Sequence, residues 1–306
     1  MPLVIPVLRG IAAWIRDMSP ASAYRLAVNL GLVFQALGLT RSIVRRNLEI
    51  ACARRLGGPE LRRFERDYYR HLGLLIVEFF RQPRVTPEVM ARVFEPKGLA
   101  HARAVYDEGK GVIFVTGHAG VWELAGHAAG LAGINIISVA KLSGHPLIDG
   151  FVSGIRESGG QTIRDVRGSL WGMKKALDRK HAVGINVDQE ARQGRVFAPF
   201  FGVPAATSNA PALLHLKTRA PILVVTAHRE GRFRYALRVL DEIRHEPSGD
   251  READLLAITT RINAGTEAAM RAHPDQWLWS HRRWRRRPEG EETLARHPGS
   301  PPLELN

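Results

Sequence analysis

The sequence predicts an α/β fold, a mixed sheet flanked by helices and preceded by a helical region, and three observations carry that prediction. From about residue 96 onward, short β-rich runs alternate with helix-length stretches, the pattern of a sheet covered on both faces. The first 85 residues show only helix-compatible apolar spacing. A chain of 306 residues with 45% hydrophobic content can also bury one substantial core.

Taken in order, the amino-terminal helices are marked by Leu26, Leu30, Val33, Phe34 and Leu37, and again by Leu72, Leu75, Ile76, Phe79 and Phe80. Pro83 and Pro87 punctuate their end. These apolar faces either pack on the main domain or meet a membrane. Arg9, Arg16, Arg25, Arg41, Arg45 and Arg46, interspersed among them, suit the headgroup layer of an anionic leaflet. Strands are expected at 112–116, 134–139, 182–187, 221–227 and 232–239, and helices near 98–109, 121–132, 147–158, 169–179, 208–219 and 252–272. In 232–239, Phe233, Tyr235, Leu237 and Val239 alternate with polar residues, which predicts an antiparallel strand near an edge. The resulting organisation is a helical, membrane-associating region over 1–95, an α/β core over 96–287, and a disordered, proline-rich tail over 288–306.

Charge and composition narrow the function. The 44 Lys and Arg against 30 Asp and Glu give a net charge of +14, a field that attracts nucleic acid, an acidic protein or an anionic membrane. No helix-turn-helix, zinc-finger or RNA-recognition signature accompanies it, so no nucleic acid is expected. Cys52 is the single cysteine, which excludes intramolecular disulfides and thiolate zinc sites, and no metal or bound cofactor is expected. The opening M-P-L-V-I-P-V-L-R-G lacks the cationic start of a cleavable signal. Residues 3–15 are too short for a membrane span, and 20–39 are interrupted by Arg25, Asn29 and Gln35.

The strongest chemical signal is T-G-H-A-G-V-W-E, residues 116–123, which puts His118 just past a buried strand and Glu123 five positions later. In open α/β sheets that strand end is where ligands bind. On one helix, residues five apart point about 140° away from each other and cannot meet. With His118 in the loop and Glu123 in the first turn of the next helix, they can, because Gly117 and Gly120 free the backbone to turn. The carboxylate then accepts the imidazole N–H and fixes the tautomer, leaving the other nitrogen to take a proton from a hydroxyl. The helix N-terminus is placed to stabilise a developing oxyanion. Serine-elbow, H-E-x-x-H, Walker and cysteine-cluster signatures are absent.

H-A-G-V-W-E resembles the His-x4-acid motif of the lipid A biosynthesis (lauroyl/myristoyl) acyltransferases, relatives of the glycerolipid acyltransferases and the phosphatidylinositol mannoside acyltransferases. Three further blocks resemble that family in the same order: P-L-I-D-G-F-V-S-G-I-R-E-S-G-G (146–160), V-D-Q-E-A-R-Q-G-R-V-F-A-P-F-F-G-V-P-A-A-T (187–207) and H-P-D-Q-W-L-W-S-H-R-R-W (273–284). The resemblance spans roughly residues 20–288. It implies a glycerolipid-acyltransferase-like fold that moves an acyl chain from acyl carrier protein or acyl-CoA to a hydroxyl of a lipid A precursor or similar glycolipid. The setting it implies is the cytoplasmic face of the bacterial inner membrane, peripheral or monotopic. His118 would be the base and Glu123 its orienter, with Arg156 holding a phosphate or serving as a solvated helix-end charge. Asp188 and Gln189 either shape the site or make a turn, and Lys141 and Arg164 either face anionic headgroups or lie on the surface. Phe200 and Phe201 line the acyl channel or belong to the core. Trp277, Trp279, Arg282 and Arg283 are expected at the membrane interface. The chain departs from the family in having no amino-terminal span, and in carrying Ala119 and Val121 where a bulky aromatic residue and Asn are usual. A different lysolipid or mannolipid acceptor therefore stays open.

Overall fold

The computed structural model describes residues 4–290, 296 and 300–305. Four helices come first: α1 (Val4–Asp17), α2 (Pro20–Ala36), α3 (Arg41–Cys52) and α4 (Gly58–Arg81). Ser19 caps α2 by accepting the Ser22 N–H, with Pro20 just inside the helix start where its missing N–H costs nothing. The α2 and α4 backbones run in close contact through glycines. A Cβ on Gly73 would lie 2.0 Å from the Ala27 carbonyl oxygen, and one on Gly31 would lie 2.6 Å from that of Tyr69.

These helices are not a free-standing layer. Val44, Leu48, Phe64, Tyr68 and Tyr69 share one buried cluster with Phe200, Phe201, Trp277, Trp279 and Trp284 from the rest of the chain. Outward, α1 exposes Val7, Ile11 and Trp14, spaced to share one helix face. Leu32, Val33, Leu37 and Leu39 are exposed on and just after α2. No single described helix is long and apolar enough to cross a membrane; only α2 and α3 taken together, bent by 90°, reach that composition.

The remainder runs α5 (Pro87–Val93), β1 (Phe94–Glu95), α6 (Pro96–Asp107), β2 (Val112–Thr116), α7 (Trp122–Leu131), β3 (Ile136–Ala140), α8 (Pro146–Glu157), β4 (Thr162–Asp165), α9 (Ser169–Asp178) and β5 (Ala182–Asn186). It continues through β6 (Arg195–Phe200), β7 (Val203–Ser208), α10 (Ala210–Thr218), β8 (Ile222–Gly231), β9 (Arg234–Ile243) and α11 (Arg251–Ala272). Seven strands form one sheet in the order β1-β9-β8-β2-β5-β3-β4, and β6 and β7 form a separate antiparallel pair. All pairings in the large sheet are parallel except β8 with β9.

Alternation along β2 sends Ile113 and Val115 to one face, against α9, α10 and α11, and Val112 and Phe114 to the other, against α6 and α7. The mixed, helix-flanked sheet is the one expected, and the 112–116 strand falls at the residues named from sequence. The strand expected at 232–239 is antiparallel to β8 and one position in from the edge, covered by the two-residue β1. It begins later than expected because Phe233 lies in the turn, with φ of 52°.

Four features differ from the sequence reading. β1, β4 and the β6–β7 hairpin were not expected. The hairpin turns at Phe201 and Gly202, both at positive φ, the backbone of a tight two-residue connection. The tail expectation is also corrected for its described part: Leu303 is buried, its N–H reaches the Ala51 carbonyl at 2.9 Å, and Arg271 donates to the carbonyls of Pro301 and Pro302. Residues 291–295, 297–299 and 306 of that tail lie outside the described residues.

Candidate active site

The parallel register pairs Thr116 at the end of β2 with Asn186 at the end of β5. His118 and Asp188 each sit two residues further on, so neighbouring strands deliver them side by side. The His118 Nδ1 lies 2.8 Å from Asp188 Oδ1, while the His118 backbone N–H donates to Oδ2 at 2.7 Å. The Trp277 indole N–H donates to the same Oδ2 at 2.6 Å. An ionised carboxylate only accepts, so Nδ1 carries the proton and Nε2 keeps its lone pair. Asn186 Nδ2 is 3.1 Å from Nε2 and donates to it.

Gly117 makes this approach possible, because a Cβ there would come 3.2 Å from the Asp188 carboxyl and from Thr266. Gly120 has φ of +62°, and a Cβ on it would fall 1.9 Å from the Ala227 carbonyl oxygen. The loop is clamped from the far end of the chain as well. Gly120 N–H donates to Gln276 O at 2.7 Å, and Leu278 N–H to His118 O at 2.9 Å.

Burial alone would push the His118 imidazole down, but the charge and hydrogen bond of Asp188, helped by the Glu123 charge, outweigh it and leave the pKa raised. Asp188 shows the same competition. Desolvation would raise its pKa, yet His118 and the two other N–H donors bring it down to about 2.

The expected hydrogen bond between Glu123 and the imidazole is not the one formed. Glu123 does occupy the first turn of α7, but its carboxylate faces α8, where it takes a two-pronged bond from Arg156 at 2.9 and 2.6 Å. The Nδ1 edge of His118 faces β5, and Asp188 supplies the carboxylate there. Arg156 also lies 5.9 Å from the centre of the Phe79 ring.

A cavity of about 880 Å³ opens at these groups. His118, Glu123, Lys141, Arg156 and Gln189 stand at its polar part, and Phe114, Ala129, Ile136 and Leu237 line its apolar interior. Room for it comes from small residues on α7, Ala125, Gly126 and Ala129, where larger side chains would fill the space against the sheet.

The other residues singled out from sequence fall elsewhere. Arg164 is exposed, is not part of the cavity lining, and donates to its neighbour's carbonyl. Phe200 and Phe201 do not line the cavity, because the hairpin turn drives both into the tryptophan cluster, with the Phe201 N–H bonded to Glu267. Trp277 and Trp279 are buried in that cluster, so the interfacial expectation for them is corrected. Arg283 is also fully buried, donating to Ala206 O and Thr207 Oγ1, and burial brings its pKa down to about 10. Only Arg282 of this group is exposed. Asn186 and the Trp277 indole were not foreseen as parts of the site, since neither carries a spacing signal and both arrive through tertiary pairing.

An oriented histidine whose Nε2 keeps its lone pair toward the Asn186 amide, at the strand ends of an α/β sheet and on the lining of a largely apolar cavity, is an arrangement able to take a proton from a hydroxyl. Residues 4–286 match the bacterial lipid A biosynthesis acyltransferases, and the chain belongs to that family. It is therefore an acyltransferase enzyme. Among its relatives, the lipid A biosynthesis palmitoleoyltransferase of Escherichia coli (strain K12) is 29% identical over 261 residues, covering 83% of this chain and 81% of the relative. The lipid A biosynthesis acyltransferase of Shigella flexneri gives the same identity and coverage. The lipid A biosynthesis lauroyltransferase of Escherichia coli (strain K12) is 28% identical, covering 87% of this chain and 86% of the relative.

Proposed function

We propose that the chain transfers a fatty acyl group from a thioester donor, acyl carrier protein or acyl-CoA, to a hydroxyl of a lipid A precursor at the cytoplasmic surface of the inner membrane. The observation that carries this reading is the Asp188–His118 pair, with Nε2 unprotonated at the cavity mouth. The acceptor hydroxyl displaces Asn186 from Nε2 and gives up its proton there as its oxygen attacks the thioester carbonyl. Asp188 holds the tautomer and stabilises the imidazolium. The tetrahedral intermediate collapses with the thiolate as leaving group, which takes the proton back from the imidazolium. No acyl-enzyme is needed, because the thioester is already activated.

The oxyanion donors are the Trp122 and Glu123 N–H groups, which a helix start leaves without intrahelical acceptors. Glu123 acts here by its charge near the imidazole and by fixing Arg156, whose remaining N–H donors hold an acceptor phosphate. The acyl chain lies along Phe114, Ala129 and Ile136. Lys141 and Gln189 contact the acceptor's polar groups. The face of Val7, Ile11 and Trp14 rests in the headgroup layer, with the net charge of +14 attracting both anionic lipid and an acidic carrier. Mass spectrometry of a reaction containing acyl donor and lipid A precursor tests this: His118→Ala should yield no added acyl group, and unchanged turnover would end the assignment.

A further inference from the structure

A second cavity, of about 420 Å³, lies on the other side of α7: Leu124 lines it, whereas the two preceding residues, Trp122 and Glu123, line the first. Five arginines surround it: Arg81, Arg84, Arg92, Arg232 and Arg234. The carboxylate in its wall, Glu78, is already spent. It accepts from Arg229 with both oxygens, and from the Tyr235 hydroxyl at 2.9 Å. Arg84 has an exposed partner, Asp17, at 3.4 Å. Among the described residues, Arg81, Arg92, Arg232 and Arg234 make no ion pair. Arg81 instead donates to backbone carbonyls of Ile15, Arg16 and Met18, and Arg232 lies over the Tyr24 ring. Burial, then the neighbouring Arg84 charge, pushes the Arg81 guanidinium below its ordinary pKa, the response of a cation lacking a compensating anion.

The rest of the lining is largely apolar, with Val85, Val89, Val93, Leu124 and Phe233 among its residues. Guanidinium groups beside an apolar lining match a phosphate ester carrying a hydrocarbon chain better than a free anion, which leaves the apolar part unused, or an uncharged lipid, which leaves the cations unpaired. We propose that this cavity is a binding site for one anionic phospholipid, its phosphate held by Arg84, Arg232 and Arg234 and its chain laid on Val85, Val89 and Phe233. The site is separate from the His118 cavity and does not depend on which acceptor that cavity takes.

The test is calorimetric titration of the full chain with dihexanoyl phosphatidic acid below its micelle concentration, beside dihexanoyl phosphatidylcholine and inorganic phosphate. Saturable binding of the phosphatidic acid, much tighter than that of either comparator, is expected. Arg232→Ser with Arg234→Ser should weaken it about thirtyfold, roughly fivefold for each guanidinium. The charge-matched pair Arg62→Ser with Arg63→Ser, on exposed α4 positions, should leave it within about twofold. Val89→Trp, which fills the apolar part without changing charge, should weaken phosphatidic acid and leave phosphate as it was. Ala129→Phe, which alters only the other cavity, should leave the phosphatidic acid affinity within about twofold. Equal loss in the two arginine pairs would mean general charge attraction and overturn the site. So would equal affinity for phosphate, which needs no apolar lining, or binding that survives both the Arg232/Arg234 and Val89 changes. Thermal melting of each variant shows whether it is folded.

Discussion

Replacing Asp188 with Asn should separate the two acidic residues that compete for the role of histidine partner. Two fixed donors, the His118 backbone N–H and the Trp277 indole N–H, both point at Oδ2. In the variant the amide oxygen must sit there, which turns the NH2 toward Nδ1. That amide donates to Nδ1, so the imidazole proton moves to Nε2 and the nitrogen facing the cavity can no longer take a proton. The imidazolium also loses its counter-charge. Two unit charges about 4 Å apart at an effective dielectric of about 20 attract by about 4 kcal/mol, close to three decades in rate. With the tautomer reversed as well, kcat should fall roughly 10³- to 10⁴-fold. The two N–H donors keep their acceptor, so melting should change little. Turnover measured with a thioester donor and a lipid A precursor, together with nitrogen NMR of the His118 tautomer, reads both consequences. A folded variant within about tenfold of the parent, alongside a Glu123→Gln variant that is inactive, would refute the assignment and return the partner role to Glu123.

Four further outcomes follow from the same geometry. Because the His118 pKa is raised and the base must be neutral, kcat/KM should fall as pH drops through a value above the ordinary histidine pKa, and a limb at or below about 6.5 would contradict it. Glu123→Gln should slow turnover about 10- to 100-fold and raise acceptor KM through a loosened Arg156, so an unchanged KM counts against the phosphate role. Ala129→Phe should shift donor preference to shorter chains, each excluded methylene costing about 0.8 kcal/mol or roughly fourfold in affinity, as read by competition between acyl donors. His228, pushed down to about 3 by burial first and by His273 and Arg238 next, and fully buried His71, pushed down by burial and Arg229, stay neutral when folded but bind protons below about 6.5 when unfolded. His228 should cost about 2 kcal/mol of stability at pH 5 and His71 should act in the same direction, partly offset by His118, whose raised pKa favours the folded state there. Urea midpoints at pH 7.5 and 5.0 that coincide would contradict this.

Local pattern was enough to find the strand ending at Thr116 and the histidine beyond it, because apolar runs and flanking glycines are encoded within a dozen residues. It could not find Asp188 as the partner. That pairing depends on β5 lying next to β2, a neighbour relation between segments 70 residues apart that no spacing records. Trp277, Trp279 and Arg283 misled for a related reason. An aromatic and basic run has the composition of an interfacial belt, yet tertiary packing gives the rings a buried cluster and the guanidinium two buried acceptors. The Phe201–Gly202 turn was hidden because phenylalanine rarely adopts positive φ, so the hairpin carried none of the usual Asn-Gly signal. The helical character of the first 85 residues was legible, but the glycine contacts joining α2 to α4, and the buried cluster that makes α3 and α4 part of the main body, were not.

The clamp from Gln276, Trp277 and Leu278 onto the His118 loop also orders the molecule in time. A nascent chain that has emerged through α11 already contains both halves of the histidine–aspartate pair and every strand of the sheet. It still lacks the indole that bonds Asp188 and the backbone that holds Gly120 and His118. Every strand and helix through α11 can therefore be present without a finished site, which is completed only when residues 276–278 pack onto the His118 loop.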